Sequence, residues 1–411
     1  MSNIGSLKEK PIAVLGAGAV GKSIAADCAL AGAKVRICDL PPYSEKTLFG
    51  IEKSGIRFFG EQLNLYGFER SGIARMEIVT EEIEEAVKGA GIVIVALPCI
   101  GHKVFFERLI PVLEDGMVIH IFPDNYGCLI LRKMMREVNC TKKVIIGGWS
   151  SAPFGTRVDI KGGVVMPAVK VDYRAISLRG ASLPSIDQAD FFESAKYIGA
   201  LDSVIKGDGI GSGETVMDIG FSNINPILHA PGTILGVGVM ENMGVIFGIK
   251  EDFSIYSHAY CPSISKVQYA LYLEEVELAK ALGVGIQHFE KKQFFSRESI
   301  LGCEYMGMNF EIPFEDINHV AWGTGPFSTD TRYLTEDIPV GCHIYHLLGK
   351  KYGIKTPIID SMINIASVML ERDFYAEGYT LDDIGIGHMS LGELHQYLYE
   401  GRYVDFTGRN Y

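Results

Sequence analysis

Residues 12–21 read Ile-Ala-Val-Leu-Gly-Ala-Gly-Ala-Val-Gly, a short apolar run followed by glycines at 16, 18 and 21. A strand that ends in this spacing and runs into the small-residue helix signal Ala19–Ala31 has few folds open to it. The first glycine permits a tight turn, the second lets backbone approach a ligand, and the third lets the helix pack against the strand it has left. Gly16, Ala17, Gly18, Ala19, Val20 and Gly21 therefore present backbone N–H groups at a helix start, where a phosphate is held without any charged side chain.

The next 130 or so residues repeat the same alternation. Val35–Cys38, Glu77–Thr80, Ile92–Ala96, Val118–Ile121 and Val144–Ile146 read as strands, with helical stretches such as Glu81–Lys88 among them. Ile92–Ala96 is an unbroken apolar run, the mark of a strand buried on both faces. Strands alternating with helices predict an α/β doubly wound parallel sheet of Rossmann type. Asp39 ends the second strand about 20 residues beyond the glycines, where an acid accepts hydrogen bonds from an adenosine ribose. It would repel a 2′-phosphate, so NAD(H) is expected in preference to NADP(H); Arg36 points the other way but lies inside the strand. Leu97-Pro98 and Phe122-Pro123-Asp124-Asn125 close later strands at the edge where such sheets bind ligands, and read equally well as simple turns.

Arg157–Leu178 has strand character without a crossover helix and is expected to finish the sheet with antiparallel strands. A helix is expected at Ala189–Ala200. Lys206–Gly213 reads Lys-Gly-Asp-Gly-Ile-Gly-Ser-Gly, the best linker in the chain. It divides an NAD-binding domain (1–205) from a helical domain (214–411). In the latter, Ser263–Leu282 carries helical apolar spacing and stops at Gly283, and Thr356-Pro357 opens a helix to about Leu370.

The net charge of -12 argues against nucleic-acid or anionic-membrane partners. No apolar run is long enough for a membrane span, and the start lacks a signal-peptide core. The eight cysteines (28, 38, 99, 128, 140, 261, 303 and 342) form no CxxC pair. A reducing cytoplasm without disulfides or a cysteine-based zinc site is expected.

Reduction of C=O or C=N needs a proton donor, and histidine is the usual one. His229 follows Asn225-Pro226-Ile227-Leu228 and precedes Ala230-Pro231-Gly232, a proline-kinked stretch just past the linker. Glu336 or Asp337, in the charged stretch Arg332–Pro339, could orient its ring, though the same stretch reads as a solvated loop. His343 and His346 have helical spacing but no third ligand, so a surface pair is expected rather than a metal site, and no metal elsewhere. Glu274, Glu275 and Glu277 read as a solvated helix face.

Taken together, Gly16–Gly21, Asn225-Pro226-Ile-Leu-His229 and Arg332-Tyr-Leu-Thr-Glu-Asp337-Ile-Pro339-Val-Gly341 resemble the opine dehydrogenase family, with Tyr260-Cys261-Pro262 and Gly353-Ile-Lys-Thr-Pro357 in support. The resemblance spans nearly the whole chain in order. It implies a Rossmann domain followed by an all-α C-terminal domain, with the active site between them. It implies NADH-linked condensation of an amino acid with an α-keto acid through an imine. By the same resemblance His229 is the catalytic histidine, Asp337 its carboxylate partner and Arg332 a contact to the cofactor pyrophosphate. Ser150–Arg157 resembles the substrate loop, which implies substrate roles for Ser151 and Thr156, with Asn225 from the central block. Octopine dehydrogenase carries an acid at the position of Ser150 and a cysteine at that of Thr156, so an arginine substrate is not expected. Small-molecule amino acid and α-keto acid substrates, no nucleic acid, no membrane, and a homodimer left open complete the expectation.

Two other functions stay open from sequence. One is an NAD-dependent hydroxyacid dehydrogenase of 6-phosphogluconate-dehydrogenase-like build, with Lys266 as proton donor. The other is a non-catalytic NAD(H)-binding sensor.

Overall fold

Apolar runs too short for helices and bounded by glycine or acid become central strands, and the glycine-rich first loop decides which of them lies at the middle of the sheet. In the computed structural model, residues 4–60, 70–207, 209–246, 253–289, 291–294 and 324–403 are described. They form two compact units, 1–219 together with 392–411, and 220–391.

Among the described residues the first unit holds twelve strands: β1 Ile12–Leu15, β2 Val35–Cys38, β3 Ile56–Phe59, β4 Gly72–Ala74, β5 Ile78–Thr80, β6 Ile92–Val95, β7 Val118–Ile121, β8 Ile145–Trp149, β9 Phe154–Lys161, β10 Val164–Arg174, β11 Ser177–Ser182 and β12 Gly209–Ser212. Eight of them make one sheet, in the order β12-β11-β8-β7-β6-β1-β2-β5. It is parallel except where β11 meets β8. The expected doubly wound sheet is therefore present, and β1 lies between β2 and β6, where the strand order reverses and such sheets bind ligands. β1 and β6 are buried along their whole length.

Three expectations need correction. The hairpin β9–β10 does not finish the main sheet; it joins β3 and β4 in a second sheet, ordered β4-β3-β10-β9, and β11 alone supplies the antiparallel turn-back. The glycine-rich stretch 206–213 is no linker, although Asp208 lies outside the described residues. Gly209–Ser212 pairs in parallel with β11, because an open sheet edge accepts any extended backbone and small residues allow close approach. The division between units falls past it, and the last helix, Leu391–Glu400, belongs almost wholly with the first unit. There Tyr397 lies under the Arg136 guanidinium and Tyr399 donates to Glu214. The helix expected at Ala189–Ala200 is shorter, Gln188–Ala195.

The second unit is helical. Its long helices are Asn225–Ile246, Pro262–Leu282, His343–Tyr352 and Pro357–Leu370. Pro262–Leu282 ends at Gly283 in the left-handed conformation, as read from sequence. The acids on this helix are not a solvated face. Glu275 is fully buried, which pushes its carboxyl well above the usual range. Glu274 accepts from the Ile358 and Ile359 amides at 2.8 and 3.0 Å, satisfying the first turn of the neighbouring helix. Only Glu277 is exposed. Among the described residues no helix is long and apolar enough to cross a membrane.

Candidate active site

In the first unit the phosphate loop is shaped by what glycine lacks. Gly16 has φ +102°, and a Cβ on it would stand 2.5 Å from the Ala96 carbonyl oxygen and 2.7 Å from Leu97 Cδ2. A Cβ on Gly21 would stand 1.9 Å from the Gly16 carbonyl oxygen. The loop thus closes against the end of β6, bringing Gly16 to Ala96 and Leu97. Gly18 meets open space where a Cβ would be, and the helix Ala19–Leu30 starts without a side-chain cap. An open approach to uncapped N–H groups fits a dinucleotide pyrophosphate.

Asp39 is nearly buried at the end of β2. Its Oδ2 accepts from the Ala17 amide at 3.0 Å and from the Thr47 hydroxyl at 2.7 Å, while Oδ1 accepts from the Leu40 amide. The acid read from sequence as the ribose partner therefore also fixes the glycine loop. Beneath the loop Lys22 is fully buried and donates to the Ala17 and Thr47 carbonyls. Burial lowers its ammonium to about 8, against the pull of Asp39. Arg36, the residue that argued for NADP(H), bonds Glu77 at 2.9 Å and the Lys88 carbonyl at 2.7 Å.

In the second unit His229 sits in the first turns of Asn225–Ile246. The Asn223 side chain accepts from the Asn225 amide at the start of this helix. Pro231 has no N–H for the Ile227 carbonyl one turn back, and the neighbouring Leu228 carbonyl accepts from Tyr260 Oη at 2.6 Å and Gln268 Nε2 at 3.2 Å. Gly232 lets the Tyr260 ring come this close, since a Cβ would stand 2.3 Å from it. Gly341 does the same for the π-helical turn Asp337–Cys342, which packs on Pro226. The glycines and prolines of the two sequence blocks thus hold one block against the other.

The outcome is a buried imidazole with every polar edge in use. His229 Nδ1 lies 2.7 Å from Asp337 Oδ2, and Nε2 lies 3.0 Å from Tyr256 Oη. Tyr256 Oη lies 2.9 Å from Tyr333 Oη. The Tyr333 ring stacks on the imidazole, centroids 3.6 Å apart and 8° from parallel. A carboxylate only accepts, so Nδ1 carries the proton toward Asp337 and Nε2 is left as the exchanging nitrogen. Burial pushes the Asp337 carboxyl upward, and the bond from His229 draws it back. Of the two acids weighed from sequence, Asp337 holds the histidine, while Glu336 faces Arg332 at 3.5 Å. Both acids are buried, so the stretch is not a solvated loop.

Residues 212–370 match the family model for the NAD/NADP octopine/nopaline dehydrogenase, alpha-helical domain. The opine dehydrogenase of Arthrobacter sp. (strain 1C) is 24% identical over 396 residues, covering 93% of this chain and 97% of the relative. Residues 212–370 thus carry the helical domain of that family, and the chain is similar to an opine dehydrogenase over nearly its whole length. Octopine dehydrogenase solved with NADH and L-arginine shares the fold, with a TM-score of 0.63 at 16% identity over 94% of this chain and 97% of that one. Yersinopine dehydrogenase bound to NADP+ gives 0.62 at 12% identity, over 93% and 94%.

The residues that the resemblance assigns to a substrate loop fare unequally. Ser151 is half-buried in the bend between β8 and β9. Thr156 is buried, its hydroxyl 2.7 Å from Ser23 Oγ and 3.1 Å from the Lys170 carbonyl, so it serves the scaffold rather than facing a ligand. Ser150 is buried against the Arg179 backbone. Asn225 is half-buried at its helix start, and Arg332 is half-exposed. His343 and His346 are not a surface pair: His343 is buried, and His346 bonds Asp360 at 2.7 Å. Among the described residues there is no cluster of His, Cys, Asp or Glu that would hold a metal ion. The described cysteines form no disulfide with one another; Cys303 lies outside the described residues.

Sequence reading missed Tyr256, Tyr333 and Lys22. Tyr333 stood inside a quoted block. Lys22 had a signal, a lone charge in an apolar helix pattern directly after Gly21. Tyr256 had none beyond lying four residues before Tyr260.

Proposed function

We propose that His229 and Asp337 are the acid–base pair of an enzyme that joins an amino acid to an α-keto acid, with NADH preferred over NADPH. The chain is an NAD(P)-dependent oxidoreductase of the opine dehydrogenase type, acting on CH–NH bonds. The observation that carries the residue assignment is the buried His229–Asp337 bond at 2.7 Å.

An amino acid arrives as an ammonium ion and loses a proton before its nitrogen adds to the keto carbon. The resulting carbinolamine then loses its hydroxyl as water. Both steps need a group that takes and returns protons near neutral pH, which is the task imidazole suits. Asp337 fixes the tautomer that leaves Nε2 to exchange protons and stabilises the imidazolium. When bound, NADH supplies the hydride that reduces the C=N carbon. The Gly16–Gly21 amides would hold its pyrophosphate and Asp39 its ribose. Arg332 is assigned to the pyrophosphate in the same proposal, and Ser151 and Asn225 to the substrates. Two features support the NADH preference: the Asp39 carboxylate at the end of β2, and the commitment of Arg36 to Glu77. The neutral, buried Ser150 disfavours a cationic amino acid. A cytoplasmic location belongs to the same proposal, on the buried cysteines Cys28, Cys38, Cys99, Cys128 and Cys342, which form no disulfide.

The test is a matrix of amino acids against α-keto acids, followed by NADH absorbance. Oxidation that requires both partners is expected. Oxidation by a keto acid alone would instead favour a hydroxyacid dehydrogenase, although Lys266, its candidate proton donor, is exposed. Cofactor binding without turnover across the matrix would favour a sensor.

A further inference from the structure

We propose that Tyr256 is a further catalytic residue, its hydroxyl carrying the proton between His229 and the reacting oxygen of the substrate, with Tyr333 as that hydroxyl's hydrogen-bonding partner. The proposal rests on His229 as the acid–base group.

An imidazole has two nitrogens. Nδ1 is taken by Asp337 at 2.7 Å, so proton exchange must pass through Nε2, and the partner of Nε2 is Tyr256 Oη at 3.0 Å. The Tyr333 ring covers one face of the imidazole at 3.6 Å, leaving the Nε2 edge as the direction of transfer. A phenol hydroxyl both donates and accepts, so it passes a proton on without net gain or loss. Tyr256 is nearly buried, like His229 and Asp337, whereas Tyr333 is half-buried. Tyr260 makes the contrast. Its ring lies 5.5 Å from that of Tyr256, but its hydroxyl is spent on the Leu228 carbonyl. Both partners of the imidazole also sit on π-helical turns, Ile255–Ala259 and Asp337–Cys342, a rare form that concentrates at functional sites.

In carbinolamine breakdown the Tyr256 O–H bond breaks and its proton goes to the leaving hydroxyl. The His229 Nε2–H bond breaks and its proton replaces the one Tyr256 has lost. The C–O bond breaks, its electron pair leaving with water, while the nitrogen lone pair forms C=N as an iminium cation. His229 ends neutral and Tyr256 ends as it began. In the preceding addition the amine nitrogen bonds to the keto carbon and the C=O π pair moves to oxygen, which takes the Tyr256 proton as His229 resupplies it; the proton the nitrogen then gives up returns through Tyr256 to His229.

The experiment compares Tyr256→Phe, Tyr333→Phe, His229→Ala and the Tyr256→Phe/His229→Ala double variant. The assay contains NADH, pyruvate and an equimolar mixture of the protein amino acids, over a pH series. The expected result is a kcat loss of roughly 10²–10⁴ in Tyr256→Phe, close to that of His229→Ala, with the double variant no worse than either. Tyr333→Phe keeps the stacked ring and should lose roughly tenfold or less, about what one neutral hydrogen bond contributes. NADH binding, read by fluorescence titration, should survive in all four. Near-wild-type or faster turnover in Tyr256→Phe, with turnover lost in His229→Ala, overturns the role of Tyr256 and leaves the proposed function standing. A substrate-free arm uses ¹⁵N-histidine NMR, assigned by loss of the His229 signal in His229→Ala. Tyr256→Phe should move the Nε2 resonance, and an unmoved resonance overturns the proposal even if no substrate pair turns over.

Discussion

The two units hold their chemistry in different materials. In the first, the phosphate loop is made of backbone, and its key residues act through side chains they lack: Gly16 and Gly21 by close approach, Gly18 by leaving space. In the second, the proposed machinery is four side chains from three separated stretches, Tyr256, His229, and Tyr333 with Asp337, each bonded to another. A backbone site survives any change that keeps the loop's path. A side-chain chain fails at its weakest link, yet it can set tautomer and proton position, which backbone amides cannot.

If the division is real, damage in one unit should leave the other's task intact. The largest effect is expected from His229→Ala, a kcat loss of roughly 10²–10⁴ with the NADH dissociation constant unchanged. A parallel loss of NADH binding, measured by fluorescence titration, would erase the contrast. Gly21→Ala should do the opposite. A Cβ 1.9 Å from a backbone oxygen forces the loop to move, at the upper end of roughly 1–3 kcal/mol, or about a hundredfold in NADH affinity. Its pH profile of kcat should match that of the wild type; a shifted profile would mean the loop reaches the acid–base group.

The contrast also explains how much could be read in advance. The glycine loop, the strands around it and Asp39 were legible because their requirements are local: spacing, burial on both faces, an acid at a strand end. The His229 and Asp337 blocks were legible as patterns, but their 2.7 Å bond was not, since the two residues stand over 100 positions apart and are brought together by tertiary packing such as Gly341 against Pro226. Gly209–Ser212 misled because glycine-rich composition describes a linker and an edge strand equally well; a free edge on β11 decided it. Glu275 misled because helical spacing was judged without knowing which face the neighbouring helices cover.

Asp124 tests whether the first unit is free of buried side-chain chemistry. It follows β7, is 1% exposed, and accepts from the Cys128 amide at 2.9 Å. Burial raises its carboxyl to about 6 from 3.8. The folded chain therefore holds a proton that the unfolded chain has lost between these values. The stability this gives is full below about pH 4 and disappears as pH rises through about 6. Asp124→Asn keeps an acceptor for Cys128 without the charge. It should be more stable than the wild type in urea unfolding at pH 8, by less than about 3 kcal/mol, with the gain gone near pH 4. A gain that does not vary with pH would show that charge burial is not its source.

The smallest effect sharpens the cofactor half of the comparison. Asp39 does two jobs that a single affinity cannot separate: it braces Ala17 and Thr47, and it places negative charge where a ribose would lie. Asp39→Asn disturbs the brace for NADH and NADPH alike, so that cost cancels in the ratio of their dissociation constants. The charge does not cancel, because only NADPH carries the 2′-phosphate it repels. The preference for NADH should therefore narrow by about tenfold, close to 1.4 kcal/mol. It should not invert, since Arg36 stays bonded to Glu77 and the Lys88 carbonyl and is not available to the phosphate. An unchanged ratio with both affinities weakened would reduce Asp39 to a brace, and the backbone would then hold the cofactor without help from any carboxylate.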